Sequence, residues 1–178
     1  MTSAPNTPNF AMVGLGRMGA NIVRRLAKHG ITSTVFDLSG EAVAALGAEG
    51  SITSSSIADL AAKLPTPRTV WIMVPASVTD ATIAEVAEHL SAGDTIIDGG
   101  NSYYKNDLKN AQILKNKGIN FVDVGTSGGV YGLERGYSLM IGGDKEVVAK
   151  LDPIFKALAP GIEAAERTPG KTGNPELS

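Results

Sequence analysis

The stretch Phe10-Ala11-Met12-Val13-Gly14-Leu15-Gly16-Arg17-Met18-Gly19 decides the fold. Four apolar residues, Phe10 to Val13, enter a G-x-G-x-x-G turn. Met18, Ile22, Val23 and Leu26 then recur at helical spacing until Gly30 ends the helix. In a strand–turn–helix setting each glycine has a use. Gly14 permits the tight turn, Gly16 lets a pyrophosphate approach the backbone, and Gly19 lets helix and strand pack closely. The helix start then offers unpaired N–H groups and a partial positive charge to phosphate oxygens. The cradle runs Gly14, Leu15, Gly16, Arg17, Met18, Gly19.

Outward from this turn the chain alternates short apolar runs with helical segments, the pattern of βαβ units on a parallel sheet. Strands are expected at Thr34–Phe36, Val70–Val74, Thr95–Ile97, Phe121–Val124 and Leu139–Ile141. Helices are expected at Glu41–Leu46, Ile57–Leu64, Val78–Leu90, Leu108–Lys117 and Lys145–Leu158. The fold class is therefore α/β, a Rossmann-type doubly wound and mostly parallel sheet. The expected organisation is a disordered N-terminal segment over 1–8, a dinucleotide-binding domain over 9–165, and a Gly- and Pro-rich linker or tail over 166–178.

Asp37 follows the second strand, 18 residues after Gly19, near the spacing of roughly 20 for an acid that binds the adenosine ribose. A carboxylate there accepts hydrogen bonds from ribose hydroxyls and repels a 2′-phosphate. Leu38, Ser39, Gly40 and Glu41 supply no cation to hold that phosphate, so NAD is preferred over NADP. The competing role for Asp37 is a cap on the helix that follows.

Composition excludes several classes. Hydrophobic residues are 43% and charged residues 19% of the 178, an ordinary balance for one globular domain. A net charge of −2 gives no basic field for nucleic acid or an anionic membrane. No run is apolar enough to span a bilayer, and Met1 to Pro8 lacks the order of a signal peptide. With no cysteine there is no disulfide, thiol nucleophile or Cys-ligated zinc, which fits a cytoplasmic enzyme. His29 and His89 stand at expected helix ends, where a cationic or hydrogen-bonding side chain is favoured, so no metal site is expected.

Further along, three motifs carry a resemblance. Trp71-Ile72-Met73-Val74-Pro75-Ala76, Ile97-Asp98-Gly99-Gly100-Asn101-Ser102 and Ser127-Gly128-Gly129 follow the glycine turn in the order seen in 6-phosphogluconate dehydrogenases. These belong to the wider β-hydroxyacid dehydrogenase group, and the likeness runs from about Phe10 to Gly161. Relatives acting on 3-hydroxyisobutyrate resemble the chain in the glycine turn and Ser-Gly-Gly, but differ where Asn101 stands. The resemblance implies that Gly14, Gly16, Gly19 and Asp37 hold the dinucleotide and that Val74, Pro75 and Ala76 line its nicotinamide side. Asn101 would touch substrate and cofactor, and Ser127, Gly128 and Gly129 would bind the sugar acid. An amide can donate and accept at once, and a Ser-Gly-Gly turn offers a hydroxyl and backbone N–H groups to an anion. Taken alone, Asn101 reads as a turn residue and Ser127–Gly129 as a plain loop. Trp71 and Tyr104 read as packing.

Two departures matter. NADP-preferring members carry Asn-Arg where Asp37-Leu38 stands, and acids after Ser-Gly-Gly where Val130 and Tyr131 stand. The run Val130 to Gly136 resembles the shorter, NAD-linked branch. The implied reaction is NAD-linked oxidative decarboxylation of 6-phosphogluconate to ribulose 5-phosphate, in the pentose phosphate pathway and gluconate utilization. The implied whole protein is a homo-oligomer with a C-terminal all-helical domain. In the family the general base is a lysine and the general acid a glutamate, in a helical run that is not among these residues. Lys105, Lys109 and Lys171 are not substitutes, since solvated lysines are poor bases at neutral pH. The chain is therefore expected to bind NAD without turning over substrate. Two alternatives stand: a dehydrogenase for 3-hydroxyisobutyrate or tartronate semialdehyde, and a stand-alone NAD-binding regulatory module.

Overall fold

Both faces of a parallel sheet are covered by helices, so its strands are apolar on both sides. In β1 (Asn9–Val13), Phe10 and Met12 pack into one layer, while Ala11 and Val13 pack into the other. The computed structural model describes residues 8–100, 102, 104–161, 164, 169–170 and 172. After β1 come α1 (Arg17–Lys28), β2 (Ser33–Phe36), α2 (Gly40–Ala48), β3 (Ile52–Thr53), α3 (Ile57–Lys63), β4 (Arg68–Ile72) and α4 (Ala76–His89). Then follow β5 (Thr95–Asp98), α5 (Tyr104–Asn116), β6 (Asn120–Ser127), a 3-10 turn (Gly129–Tyr131), α6 (Gly132–Arg135), β7 (Ser138–Gly143) and α7 (Lys145–Leu158).

The seven strands form one sheet in the order β3-β2-β1-β4-β5-β6-β7. All neighbours are parallel except β7, which runs antiparallel to β6 at the edge. This is the doubly wound α/β fold expected. The chain leaves β1 toward β2 and later returns on its other side as β4. The two crossovers part there and leave a crevice at the carboxyl ends of β1 and β4. One core layer joins Phe10, Met12, Ile22, Leu26, Trp71 and Ile97 to Ile154, Phe155 and Leu158 of α7. The other joins Val70, Ile72 and Ile96 to Leu60, Ile83, Val86 and Leu114. Trp71 is wholly buried, edge-on to Phe10 and Phe155 at 6.3 and 6.4 Å, so it packs the core as expected.

Several boundaries differ from the sequence reading. β4 stops at Ile72 and not Val74: the Met73 amide still donates to Val13 O at 2.8 Å, but the chain then turns out to Pro75, which has no N–H to pair. Pro75 instead caps α4, which starts at Ala76 before the apolar spacing becomes visible at Val78. α5 starts at Tyr104 and not Leu108, because Lys105, Asn106 and Asp107 show no apolar period; Asp107 suits the positive end of the helix. β6 continues to Ser127 because β7 pairs with it from Val122 onward. β3, α6 and the 3-10 turn are too short to leave a period. Most of the expected lead-in (1–8) and tail (166–178) lies outside the described residues, as does the Tyr104 side chain.

A buried cation closes the fold. Arg25, 8% exposed, donates from Nε to Ala157 O (3.0 Å) and from Nη2 to Ala159 O (2.8 Å) at the end of α7. Its Nη1 donates to Leu133 O (3.2 Å) and Glu134 O (3.4 Å) in α6. Its contacts are thus carbonyls at two helix C-termini, where the backbone has unpaired acceptors and partial negative charge. The flat guanidinium reaches all four at once, which a lysine ammonium cannot do. Arg25→Met is expected to lower the unfolding free energy by about 2–4 kcal/mol, leaving buried acceptors unpaired. Arg25→Lys should recover less than half of that in urea denaturation. Losses below about 0.5 kcal/mol in both would show that water replaces the guanidinium.

Candidate functional site

The crevice is built by backbone packing at the end of β1. Gly14 has φ +95°, a conformation that side-chain-bearing residues rarely adopt, and a Cβ there would strike the Met73 carbonyl. At Gly19 a Cβ would strike the carbonyl oxygen of Gly14. Gly16 differs: a Cβ would meet nothing within 4 Å, so the space above it is open. α1 starts there with no side-chain cap and no acid in its first turn, leaving its N–H groups and dipole facing the opening.

Asp37, just past β2, locks this turn from the side. Its Oδ2 accepts from Leu15 N at 2.6 Å and its Oδ1 from Ser39 N at 2.7 Å. The cap of α2 is Ser39, whose Oγ accepts from Ala42 N, so the helix-cap role considered for Asp37 is taken by its neighbour. Each carboxylate oxygen keeps a lone pair for a further donor. Beside Asp37 lies a cleft of about 350 Å³ whose walls include Gly14, Gly16, Phe36, Val74, Pro75 and Val78. The structure therefore brings the glycine turn, Asp37, Val74 and Pro75 together. Ala76 starts α4 beside them but does not line the cleft, while Leu15, Arg17 and Met18 belong to the turn and the first residues of α1.

Ser127, Gly128 and Gly129 are exposed; Ser127 ends β6 and the two glycines follow it. Because β1, β4, β5 and β6 are parallel neighbours, their carboxyl ends lie in a row, at about 4.8 Å per strand. Ser127 is thus on the same edge of the sheet as the cleft but three strands from the glycine turn. Asn101 lies outside the described residues. Its neighbours Gly100 and Ser102 are described, and both donate to Asp98: Gly100 N to Oδ1 at 2.9 Å, and Ser102 Oγ to Oδ2 at 2.5 Å.

The sequence reading missed a set of acids around that turn. Asp98 is 1% and Asp107 8% exposed. Burial, then repulsion from Asp98 and Asp123, a hydrogen bond with Asp98 and repulsion from Asp80 push the Asp107 carboxyl up to about 6. Burial and Asp98 also raise Asp123. Asp80, on α4, accepts from Asn106 and Asn110 of α5, each at 2.9 Å. The four acids sit on four separate elements, so no local spacing signals their meeting. Among the described residues no group of three or more His, Cys, Asp or Glu is disposed to hold a metal ion.

Comparison with known proteins gives this geometry its family. Residues 9–165 match the model of the NAD binding domain of 6-phosphogluconate dehydrogenase. The chain belongs to that family. An NAD(+)-dependent, decarboxylating 6-phosphogluconate dehydrogenase of Haloferax volcanii is 40% identical over 153 residues, covering 85% of this chain and 50% of the relative. Among solved structures, 6-phosphogluconate dehydrogenase of Plasmodium falciparum superposes with TM-score 0.81 at 25% identity, covering 88% of this chain and 35% of that one. A 3-hydroxyisobutyrate dehydrogenase of Mycobacterium tuberculosis superposes with TM-score 0.79 at 22% identity, over 86% of this chain and 53% of that one, a likeness of fold alone. The chain thus spans half or less of the length of these 6-phosphogluconate dehydrogenases, and it is the NAD-binding domain of this oxidoreductase family. Among the described residues no helix is long and apolar enough to cross a membrane.

The glycines separate by variant. Gly19→Ala forces a methyl into the Gly14 carbonyl and should cost about 2–3 kcal/mol or more of stability. Gly16→Ala enters open space at an ordinary backbone angle and should change stability by less than about 0.5 kcal/mol. Thermal denaturation of the two variants side by side checks this. Equal losses would contradict the packing described.

Proposed function

We propose that this chain is the cofactor-binding part of a 6-phosphogluconate dehydrogenase that uses NAD in preference to NADP, and that by itself it binds the dinucleotide without turnover. The observation that carries the cofactor choice is Asp37. Its carboxylate sits at the cleft with lone pairs left for ribose hydroxyls, and the next side chain, Leu38, is 96% exposed. A 2′-phosphate there would meet a negative charge and an apolar side chain, with no cation supplied by Leu38 to Glu41.

The residues fit NAD. Open space over Gly16 and the uncapped start of α1 suit a pyrophosphate, and the apolar walls at Val74 and Val78 suit a flat ring. When bound, NAD supplies the acceptor for a hydride. The chain's own contribution is binding and orientation: Gly14–Gly19 on the phosphates, Asp37 on the ribose, and Val74 and Pro75 along the nicotinamide side, with Ala76 next to them at the start of α4. Asn101 would bridge cofactor and substrate, and Ser127, Gly128 and Gly129 would hold the sugar acid by a hydroxyl and backbone N–H groups. The substrate reading is supported by the named activity of the Haloferax relative and by the motifs around Asn101 and Ser127. Lys105 and Lys109, both on α5, are exposed, and solvated lysines are poor bases at neutral pH.

Titration of the chain with NADH and, separately, NADPH, followed by nucleotide fluorescence, tests this. NADH should bind tighter by about tenfold or more, a difference of about 1.4 kcal/mol. Asp37→Asn should shrink that preference, and Gly16→Ala should weaken both nucleotides without unfolding the chain. Equal or tighter NADPH binding would overturn the role of Asp37. With NAD and 6-phosphogluconate added, the chain alone should form no NADH above background.

A further inference from the structure

Three polar side chains line the cleft beside the glycine turn: Asp37, Thr82 and Glu85. The rest of its lining is apolar or glycine, and among the described residues no cation contributes to it. Thr82 and Glu85 come from α4, which also gives the cleft Val78. Positions 78, 82 and 85 are four and three residues apart, so they share one face of the helix. Leu38, 96% exposed, adds an apolar surface next to Asp37.

All three polar groups are acceptors without a hydrogen to offer. An ionised carboxylate can only accept. Thr82 has one hydrogen, but its hydroxyl already donates to Val78 O at 2.9 Å, which leaves the oxygen with lone pairs alone. Asp37 accepts from the Leu15 and Ser39 amides. Glu85 is exposed, and among the described residues it has no hydrogen-bond or ion-pair partner. Such a wall attracts a group with hydrogens to give and repels one with lone pairs.

We propose that Glu85 is a specificity-determining residue for the base of the dinucleotide, and that with Thr82 it selects adenine through its exocyclic amine. The assignment rests on the proposed function, which puts the pyrophosphate over Gly16 and the adenosine ribose at Asp37. The base hangs from that ribose, away from the phosphates. The surfaces the cleft leaves to it are Leu38 and the α4 face of Val78, Thr82 and Glu85. Leu38 and Val78 suit the flat ring, and the two acceptors suit its edge. The 6-amino group of adenine carries two hydrogens. Thr82 and Glu85, three residues apart, are neighbours on the helix surface, so each can take one. Hypoxanthine has a carbonyl oxygen in place of that amine, which sets lone pairs against lone pairs. Its single hydrogen on this edge, on ring N1, cannot serve both acceptors. Water reaches Glu85, so the discrimination is about tenfold and not the far larger factor of a closed pocket.

The test compares NADH with reduced nicotinamide hypoxanthine dinucleotide, which has the same phosphates, riboses and nicotinamide. Each is titrated into the full chain and followed by nucleotide fluorescence. The ratio of the two dissociation constants cancels effects common to both, such as repulsion between Glu85 and the phosphates. NADH should bind about tenfold tighter. In Glu85→Gln, whose amide can donate to an oxo group as well as accept from an amine, the ratio should fall to within about twofold. In Glu85→Lys, a donor only, the preference should invert. Because Glu85 is exposed and unbonded among the described residues, both variants should melt close to the wild type. The wild-type ratio needs no variant. Equal affinities in the wild type, or a preference that persists in Glu85→Gln, would overturn the assignment and leave NAD binding standing. Binding of neither dinucleotide would instead overturn the cofactor reading, and the base assignment with it.

Discussion

Everything in the cleft depends on one close approach, the Gly19 backbone against the carbonyl of Gly14. There is no room for a methyl group between them, so α1 starts lower on the sheet than side-chain packing would allow. That height leaves the space over Gly16 open. It also brings the Leu15 amide within reach of Asp37, so the second strand and the first turn hold each other. At its far end α1 carries Arg25 to the carbonyls that finish α6 and α7. A contact between two glycines thus sets both the binding edge and the closure of the domain behind it.

Electrostatics divides the same edge of the sheet in two. At β1 the exposed partial charges are positive, the free amides at the head of α1. From β5 to α5 the buried charged groups are acids, Asp98 and Asp107, and the exposed Asp123 of β6 lies beside them. The sheet keeps this polarity because its strands are parallel, so every strand end on that edge is a carboxyl end.

How much of this was legible in the sequence varies with how local the cause is. The glycine turn was legible because Gly14, Gly16 and Gly19 act within one short segment. Asp37 was legible because its distance from that turn is fixed by one helix and one strand. Ser39 shows the limit: it caps α2 although Asp37 was the cap weighed, since either oxygen could reach and only geometry decides. β4 read too long because Met73 and Val74 are apolar for the sake of the cleft and not of the sheet. Arg25 and Asp107 were invisible because their partners lie far away in the chain or on other elements. In sequence, a buried arginine bonded to carbonyls looks like any surface cation of an amphipathic helix.

The way α7 completes the first core layer also bears on how the chain is made. Phe10 and Ile22 bury themselves partly against Ile154, Phe155 and Leu158, well over half the chain later. The Arg25 contacts to Ala157 and Ala159 close loops of similar length. On a ribosome, the early strands emerge with one face of the sheet still waiting for its cover. Contacts of such long range form late and slowly. Until α7 arrives, the nascent sheet shows water an apolar face, a state for which chaperones have affinity and in which truncation upstream of α7 would leave an aggregation-prone half-layer.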